Sequence, residues 1–371
     1  MWTAFGAADA RADQDAEASF RTFPTSIQWT EELPSGTVAP PVRVNDVVIV
    51  SLISGSVRAM DVSTRKNVWT AKLAATAPLA ASDDTVLVAA EDGLYALAAA
   101  DGRTKWKSDI APVKVRPVVA GGWAIVVAGA ELTALRAADG PVVWTRSLAP
   151  VSIPGAVDGH VLYQPFDDGR IVALDLASGS PLWERQLGAI ETSPLVYRGR
   201  LYVGASKQLF CLNAEDGQIA WAQRIGAALV GWIAADDERV YTASMDNLLR
   251  AFHRTNGARE WPRDLGYRPT GGPILTGRSI TAPGRTTALR AFNVSKGTPV
   301  AQLMLPIQAA TSPVIIPPDE SRPGRLAIIA NEVGKPWLLV LAAEAPPPPP
   351  ELPLTPLSVL PGTSLPIPKI G

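Results

Sequence analysis

The sequence predicts an all-β protein, an eight-bladed β-propeller built from four-stranded antiparallel blades. The first observation is a tryptophan that recurs every 37 to 40 residues, which is the period of a repeat architecture. The second is a polar turn shortly before most of these tryptophans, and the third is the lack of helical periodicity between them. The recurring tryptophans are Trp29, Trp69, Trp106, Trp144, Trp183, Trp221 and Trp261.

Each repeat contains four short runs separated by turns, as residues 154–186 illustrate. An opening run follows Pro154, a second run "HVLYQPF" precedes the turn "DDG", and a third run "RIVALDLA" precedes the turn "SG". The fourth run carries Trp183 and then becomes charged. Runs of this length, bounded by turn-forming Gly, Asp and Ser, predict short strands joined by hairpins.

The third strand of this repeat is apolar on both of its faces. Val172 and Leu174 alternate with Ile171 and Ala173. A four-stranded sheet cannot bury two apolar faces alone, so each sheet must lie between two neighbours. Radial stacking satisfies this requirement and limits exposed edge strands by closing on itself. The recurring tryptophan is then expected to cover apolar surface between neighbouring blades at the rim.

The two ends of the repeat array predict how the ring closes. Trp29 precedes the first complete repeat, whereas the last repeat ends after three strands near Glu344. We therefore expect the strand "SIQWTEEL" to complete the C-terminal blade by pairing with the segment around Leu338. This arrangement gives eight blades. Val300 stands at the place expected for an eighth tryptophan, and we interpret its repeat as one that has lost this residue.

The chain divides into three parts by composition. Residues 1–22 are predicted to be a flexible N-terminal segment, and residues 23–344 to form the propeller. Residues 345–371 are rich in proline, which favours polyproline II and cannot donate ladder hydrogen bonds, so a disordered tail outside the fold is predicted. Its role is either a solvated linker or, because "PLTPLSVLP" carries spaced leucines that a pure spacer would not need, a docking peptide.

Charge and hydropathy exclude several classes of partner. The chain has 34 basic and 35 acidic side chains and no run of like charge, so nucleic acid is not an expected partner. No uninterrupted apolar stretch approaches 18 residues, and we therefore predict no transmembrane segment. The N-terminus shows no signal peptide. The sequence leaves open a cytoplasmic protein or an exported one.

The residues also offer little catalytic or metal-binding chemistry. One cysteine and two histidines cannot build a histidine-rich metal site, and no nucleophile–base spacing or phosphate-binding loop is present. Cys211 lies in the apolar run "QLFCLNA" and is expected to be a buried, inert thiol. We predict no catalytic residue, no metal site, no cofactor and no enzymatic activity.

The segments "GRIVALDLASGSPLWERQLG" and "QLFCLNAEDGQIAWAQRIG" resemble the repeat of PQQ-like, or quinoprotein-type, β-propellers. The resemblance covers residues 25–343, over eight repeats, and it is specific because hairpin glycine, tryptophan and period recur together. In size, blade count and closure the chain is most similar to the propeller lipoprotein of the bacterial outer-membrane β-barrel assembly machinery. This resemblance implies a monomeric, non-enzymatic scaffold that holds a protein partner in a periplasmic or other extracytoplasmic location.

Two other functions remain open within that family. One is a ligand-binding or sensory propeller, and the other is a quinone-dependent dehydrogenase. The dehydrogenases hold their cofactor between a tryptophan and a disulfide of adjacent cysteines, which a chain with one cysteine cannot form. Trp232, at the start of an inner strand, is the one feature that is similar to their cofactor floor.

Candidate binding residues lie at the entrances to inner strands, where side chains would converge on the central funnel. Solvated loop charge is the alternative interpretation of their charged members. These partner or ligand candidates are Lys114, Arg116, Glu191, Trp232 and Arg268.

Overall fold

The computed structural model describes residues 26–82, 84–147, 150–317, 324–332 and 335–342. In this part of the chain all regular elements are β-strands, arranged as eight four-stranded antiparallel sheets. The predicted all-β, eight-bladed architecture is therefore confirmed. The predicted flexible segment 1–22 and the Pro-rich tail 345–371 lie outside the described residues.

The strands follow one another in chain order, four to a blade, except that the first strand belongs to the last blade. Strand β1 (Ser26–Glu32) is followed by blade 1, with β2 (Val42–Val44), β3 (Val47–Leu52), β4 (Ser56–Asp61) and β5 (Lys66–Ala71). Blades 2 and 3 comprise β6 (Ala80–Ser82), β7 (Thr85–Ala90), β8 (Gly93–Ala98), β9 (Thr104–Ser108), β10 (Val118–Ala120), β11 (Trp123–Ala128), β12 (Glu131–Arg136) and β13 (Val142–Ser147). Blades 4 and 5 comprise β14 (Ala156–Asp158), β15 (Val161–Pro165), β16 (Arg170–Asp175), β17 (Pro181–Gln186), β18 (Leu195–Tyr197), β19 (Arg200–Ala205), β20 (Gln208–Asn213) and β21 (Ile219–Arg224). Blades 6, 7 and 8 comprise β22 (Ala234–Ala235), β23 (Arg239–Ala243), β24 (Leu248–His253), β25 (Arg259–Asp264), β26 (Ile274–Thr276), β27 (Ser279–Thr281), β28 (Ala288–Asn293), β29 (Pro299–Met304), β30 (Val314–Ile316), β31 (Arg325–Glu332) and β32 (Lys335–Ala342).

The core consists of apolar clusters between successive blades, and β16 shows how one strand serves two of them. Val172 and Leu174 pack with residues of blade 3, whereas Ile171 and Ala173 pack with residues of blade 5. The two apolar faces predicted for this strand are thus both buried. Because each blade is covered by two neighbours, the ring buries surface that no single blade could hide.

The recurring tryptophans join each blade to the next. Each indole lies on an outer strand, and its Nε1 donates a hydrogen bond of 2.7 to 3.2 Å to a backbone carbonyl of the following blade. In six of the seven cases the hairpin glycine of that following blade lies against the indole ring. These glycine–tryptophan pairs are Gly102 with Trp69, Gly140 with Trp106, Gly179 with Trp144, Gly217 with Trp183, Gly257 with Trp221, and Gly297 with Trp261.

The ring closes through the two ends of the described chain. Strand β1 pairs antiparallel with β32, and Glu31 stands opposite Leu338, as predicted. The indole of Trp29 donates to the carbonyl of Val62 in blade 1 over 3.1 Å. Blade 8 is therefore composite, with its outer strand from the N-terminal side and three inner strands from the C-terminal side.

Two ion pairs fasten the same seam between blades 8 and 1. Glu31 of β1 pairs with Arg58 of β4. Arg325 of β31 is buried, and its guanidinium donates to Asp46 and to Ser63 of blade 1, each over 3.0 Å. The closing seam is thus held by polar contacts as well as by apolar packing.

The structure corrects the position of the lost eighth tryptophan. In the neighbouring blade Trp261 stands opposite Ala251, and in blade 7 the residue opposite Ala291 is Ala301. Val300 precedes that position and is exposed. The spacing from Trp261 is thus 40 residues rather than 39. A one-residue shift moves a side chain to the other face of a strand, so only the register could decide this point.

The two faces of the ring differ in the connections that they carry. Links between blades pair with the end of the second strand, as in the bridges Ile190 to Ala205 and Leu229 to Ser244. Because antiparallel strands alternate in direction, these links and the turns between second and third strands share one face. We call it the loop face. The hairpins before the outer strands lie on the opposite face, here called the hairpin face.

Candidate functional site

The five residues proposed from the sequence all lie in links between blades, on the loop face. Lys114 and Arg116 precede the inner strand of blade 3, and Glu191 precedes that of blade 5. Trp232 and Arg268 hold the corresponding places in blades 6 and 7. In the described part of the chain, no hydrogen bond or ion pair joins any two of the five.

Glu191 binds backbone groups of two blades. Its carboxylate accepts one hydrogen bond of 2.8 Å from the amide of Lys207, in the turn between β19 and β20. It accepts a second of 2.8 Å from the amide of Leu229, in the link that leads into blade 6. A carboxylate that accepts hydrogen bonds from two backbone amides in this way orients the loops that carry them.

Trp232 is half-buried and tied to the next blade. Its Nε1 donates to the carbonyl of Pro273 over 2.8 Å, and its backbone forms a parallel bridge with Ser193 of blade 5. A Cβ at Gly272 would lie 2.1 Å from the carbonyl oxygen of Trp232, so only glycine permits this approach. Trp232 therefore links three successive blades around the funnel.

Of the three basic candidates, one is engaged and two face solvent. Arg116 is half-buried, its Nε donates to the carbonyl of Leu79 over 3.1 Å, and desolvation lowers its pKa. The side chains of Lys114 and Arg268 are exposed. These two cations are the candidates that remain accessible to a partner.

The loop face also carries exposed apolar side chains that the sequence reasoning missed. Ile53 is 69% exposed and Val38 is 41% exposed, and the adjoining backbones of these two segments are hydrogen-bonded in blade 1. Met245, in the turn between β23 and β24, is 41% exposed. The signal available in the sequence was the lack of any charge in residues 33–41 and 52–56.

The sole cysteine and the acidic residues form no reactive or metal-binding centre that the structure describes. Cys211 is buried on β20, opposite Trp221, and burial raises the pKa of its thiol to about 11. No group of three or more His, Cys, Asp or Glu residues is placed to hold a metal ion among the described residues. By length and hydropathy, no membrane-spanning helix occurs in this part of the chain.

Comparisons with known proteins agree with this architecture. A family model described as outer membrane protein assembly factor BamB matches residues 53–194 and 167–314. Outer membrane protein assembly factor BamB of Burkholderia pseudomallei is 26% identical over 317 residues, which are 77% of this chain and 82% of the relative. The crystal structure of BamB from Moraxella catarrhalis superposes with a TM-score of 0.71 at 21% identity, covering 85% of this chain and 99% of that chain.

The same propeller also occurs in enzymes. Quinohemoprotein alcohol dehydrogenase from Comamonas testosteroni superposes with a TM-score of 0.65 at 14% identity, covering 87% of this chain and 77% of that chain. A likeness at this identity shows the fold alone. The residues present also do not fit the quinone as those enzymes hold it, because a disulfide of adjacent cysteines cannot form from Cys211, which is single and buried within blade 5.

Fold, repeat and closure define the chain as a PQQ-like β-propeller. Among PQQ-like propellers, the family model that matches most of the ring identifies the family of this chain. The chain belongs to the family of the outer membrane protein assembly factor BamB.

Proposed function

We propose that this propeller is a non-enzymatic scaffold that holds another protein during outer-membrane protein assembly. The family match over residues 53–314 carries the proposal, because it covers blades 2 to 7 and part of blade 1 rather than a single blade. The proposed location is extracytoplasmic, and the working unit is a single ring with a protein partner. The process is taken from the name of the relatives, outer membrane protein assembly factor BamB. The loop face is the surface that we propose binds the partner.

The loop face has the composition of a protein-binding surface. The exposed cations Lys114 and Arg268 lie on the same face as the exposed apolar side chains Ile53, Val38 and Met245. Apolar anchors surrounded by charge are typical of protein interfaces. Below this surface, contacts such as those of Glu191 hold the loops to rigid sheets, which limits the ordering required on binding.

The test compares charge reversals on the two faces of the ring. The double variant Lys114→Glu, Arg268→Glu should weaken binding to the periplasmic part of the host's barrel-assembly machinery at least about tenfold, roughly 1.4 kcal/mol. Arg278→Glu is the matched control, since Arg278 is exposed in the same blade but lies on the hairpin face. Binding is measured with purified proteins by titration calorimetry. Equal loss in both variants, or no binding by the unmodified protein, would contradict the proposal.

The dehydrogenase alternative has a separate test. Incubation with pyrroloquinoline quinone and calcium should give no dye reduction with alcohol substrates and no rise in melting temperature. A bound cofactor at 100 times its Kd would add about 2.7 kcal/mol to the stability, which a melting scan detects readily. Dye reduction together with such a rise in melting temperature would overturn the scaffold proposal in favour of a dehydrogenase.

A further inference from the structure

Blade 7 has an outer strand unlike those of the other blades. Strand β29, "PVAQLM", carries no charged residue, whereas each of the other seven outer strands that the structure describes carries at least one. Charged residues on an edge strand prevent pairing with further strands. On β29 the side chains of Val300 and Met304 are 48% and 61% exposed. This edge is therefore suited to accept another strand.

The amides available at this edge follow from the pairing of β29 with β28. The amide of Leu305 donates inward to the carbonyl of Thr287 over 2.8 Å. Backbone groups alternate in direction along a strand, so Leu303 also points inward, toward Leu289. Gln302 and Met304 consequently direct their amides away from the blade, toward the open edge.

The C-terminal end of the described chain lies beside the same strand. Leu341, one residue before the end of β32, packs in the same apolar cluster as Ala301 of β29. Residues 343–371 leave from this point. The eleven residues 343–353 include six prolines, and at about 3.1 Å per residue in polyproline II they can span roughly 34 Å. The following residues can therefore reach β29 without strain.

The tail contains one stretch whose prolines permit edge pairing. Residues 352–361, "LPLTPLSVLP", carry no charge, which matches β29. Thr355, Leu357 and Val359 alternate along the chain, and each has an N–H group that could point toward β29. Pro356 falls on the alternate positions, whose backbone groups would point to solvent. Proline is tolerated in an edge strand at such outward positions.

We propose that residues 354–360 add to β29 as a fifth, outermost strand of blade 7. Thr355, Leu357 and Val359 then pair with the outward-directed amides and carbonyls of Gln302 and Met304. In an antiparallel ladder, residues that exchange hydrogen bonds stand directly opposite each other with their side chains on the same side of the sheet, so Leu357 and Val359 cover Met304. The occupant is the chain's own tail, and its Pro356 blocks pairing with any further strand.

Amide hydrogen exchange of the full-length chain tests this pairing. In the unmodified protein the amides of Gln302 and Met304 should exchange at least about tenfold more slowly than those of Glu184 and Gln186. These reference amides also point outward, since Leu187, the residue after β17, donates inward to the carbonyl of Gly169. Their strand is charged and has no proposed occupant.

Two proline variants in the tail form the matched comparison. Val359→Pro removes an inward N–H and should raise the exchange rates of Gln302 and Met304 to the reference values. Ser358→Pro removes an outward N–H and should leave them protected. Neither change lies in the ring, so melting temperature serves as a check that both variants fold. Fast exchange in all three chains would overturn the proposal.

Two further outcomes would identify a different occupant and would equally overturn the proposal. Protection that disappears on dilution would assign the edge to a second copy of the chain. Protection that persists in Val359→Pro would assign it to residues 1–25, which enter blade 8 at Ser26.

Discussion

The contact between a hairpin glycine and the tryptophan of the preceding blade repeats around the ring. Both residue types were visible in the sequence, where a glycine and a tryptophan occur close together within each repeat. The sequence did not show that each glycine contacts the tryptophan of the preceding repeat. At the closing seam Arg65, with a φ of 61°, takes the glycine position three residues after Val62. This substitution has no glycine signature and could be recognised only from the structure.

The glycine contact is tested by two alanine variants of blade 5. Gly217 and Gly199 have similar φ values of 68° and 72°. A Cβ at Gly217 would lie 2.5 Å from Cε3 of Trp183, whereas a Cβ at Gly199 meets nothing within 4 Å. Gly199→Ala should cost only backbone strain, about 1 to 2 kcal/mol. Gly217→Ala should cost a further 1 to 3 kcal/mol, roughly, from overpacking.

Urea denaturation of both variants measures this difference. Gly199→Ala serves as the control because it shares the strained backbone but not the steric contact. Equal losses in the two variants would show that the indole yields to the added methyl group, and the proposed contact would then have no energetic weight.

Cys211 makes a second prediction at the level of a single side chain. Burial raises the pKa of its thiol to about 11, so at pH 8 the folded protein holds it protonated and unreactive. A pKa above that of the unfolded chain contributes stability fully below about pH 8.5, and this contribution is lost as pH rises toward 11. A disulfide reagent at pH 8 should label Cys211 slowly in buffer and rapidly in denaturant. Rapid labelling of the folded protein would contradict its burial.

The links between blades show what pattern analysis can and cannot supply for an individual element. Five candidate residues were proposed from the sequence at the entrances to inner strands, and these residues lie in the links. The partners of these residues were not predictable, because Glu191 binds amides 16 and 38 residues away in sequence. Such contacts depend on three-dimensional packing, which a single sequence does not encode in any local pattern.

The link before blade 5 should lose its position when Glu191 loses its carboxylate. Glu191→Ala leaves the amides of Lys207 and Leu229 without their acceptor, and charge-assisted hydrogen bonds of this kind contribute about 1.5 to 3 kcal/mol each. We expect a total destabilisation of about 2 to 3 kcal/mol, because solvent can replace part of the lost contacts. Thermal and urea unfolding measure it.

The matched variant is Glu215→Ala. Glu215 is an exposed acid of the same blade on the hairpin face, and its replacement should leave the unfolding midpoint nearly unchanged. If both variants are equally stable, Glu191 is not the structural clamp that its geometry indicates.

At the scale of the whole molecule, the ring is closed by the pairing of β1 with β32 and by the contacts between blades 8 and 1. Its strand pairing was predicted from the incomplete first and last repeats, because an outer strand without a blade and a blade without an outer strand complement each other. The ion pair between Arg325 and Asp46 was not predicted. The two residues are far apart in sequence, and neither lies in a recurring pattern.

Asp46→Ala tests the contribution of that ion pair to the entire fold. The variant leaves Arg325 buried with a lost partner, and breaking a buried pair in this way should cost about 3 kcal/mol. Because the seam closes the ring, we expect one cooperative transition at a lower urea concentration rather than a separate early phase. The exposed pair of Asp139 with Arg136 supplies the control, and Asp139→Ala should have no measurable effect. An early phase confined to blade 8 would contradict cooperative closure.

The composite eighth blade has a consequence for biosynthesis. Strand β1 is made before the other strands that the structure describes, yet its partner β32 follows roughly 300 residues later. At about 5 to 20 residues per second, translation separates the two by roughly 15 to 60 s. During that interval Ser26–Glu32 has no partner strand, so the nascent chain must be synthesised as far as β32 before β1 can pair.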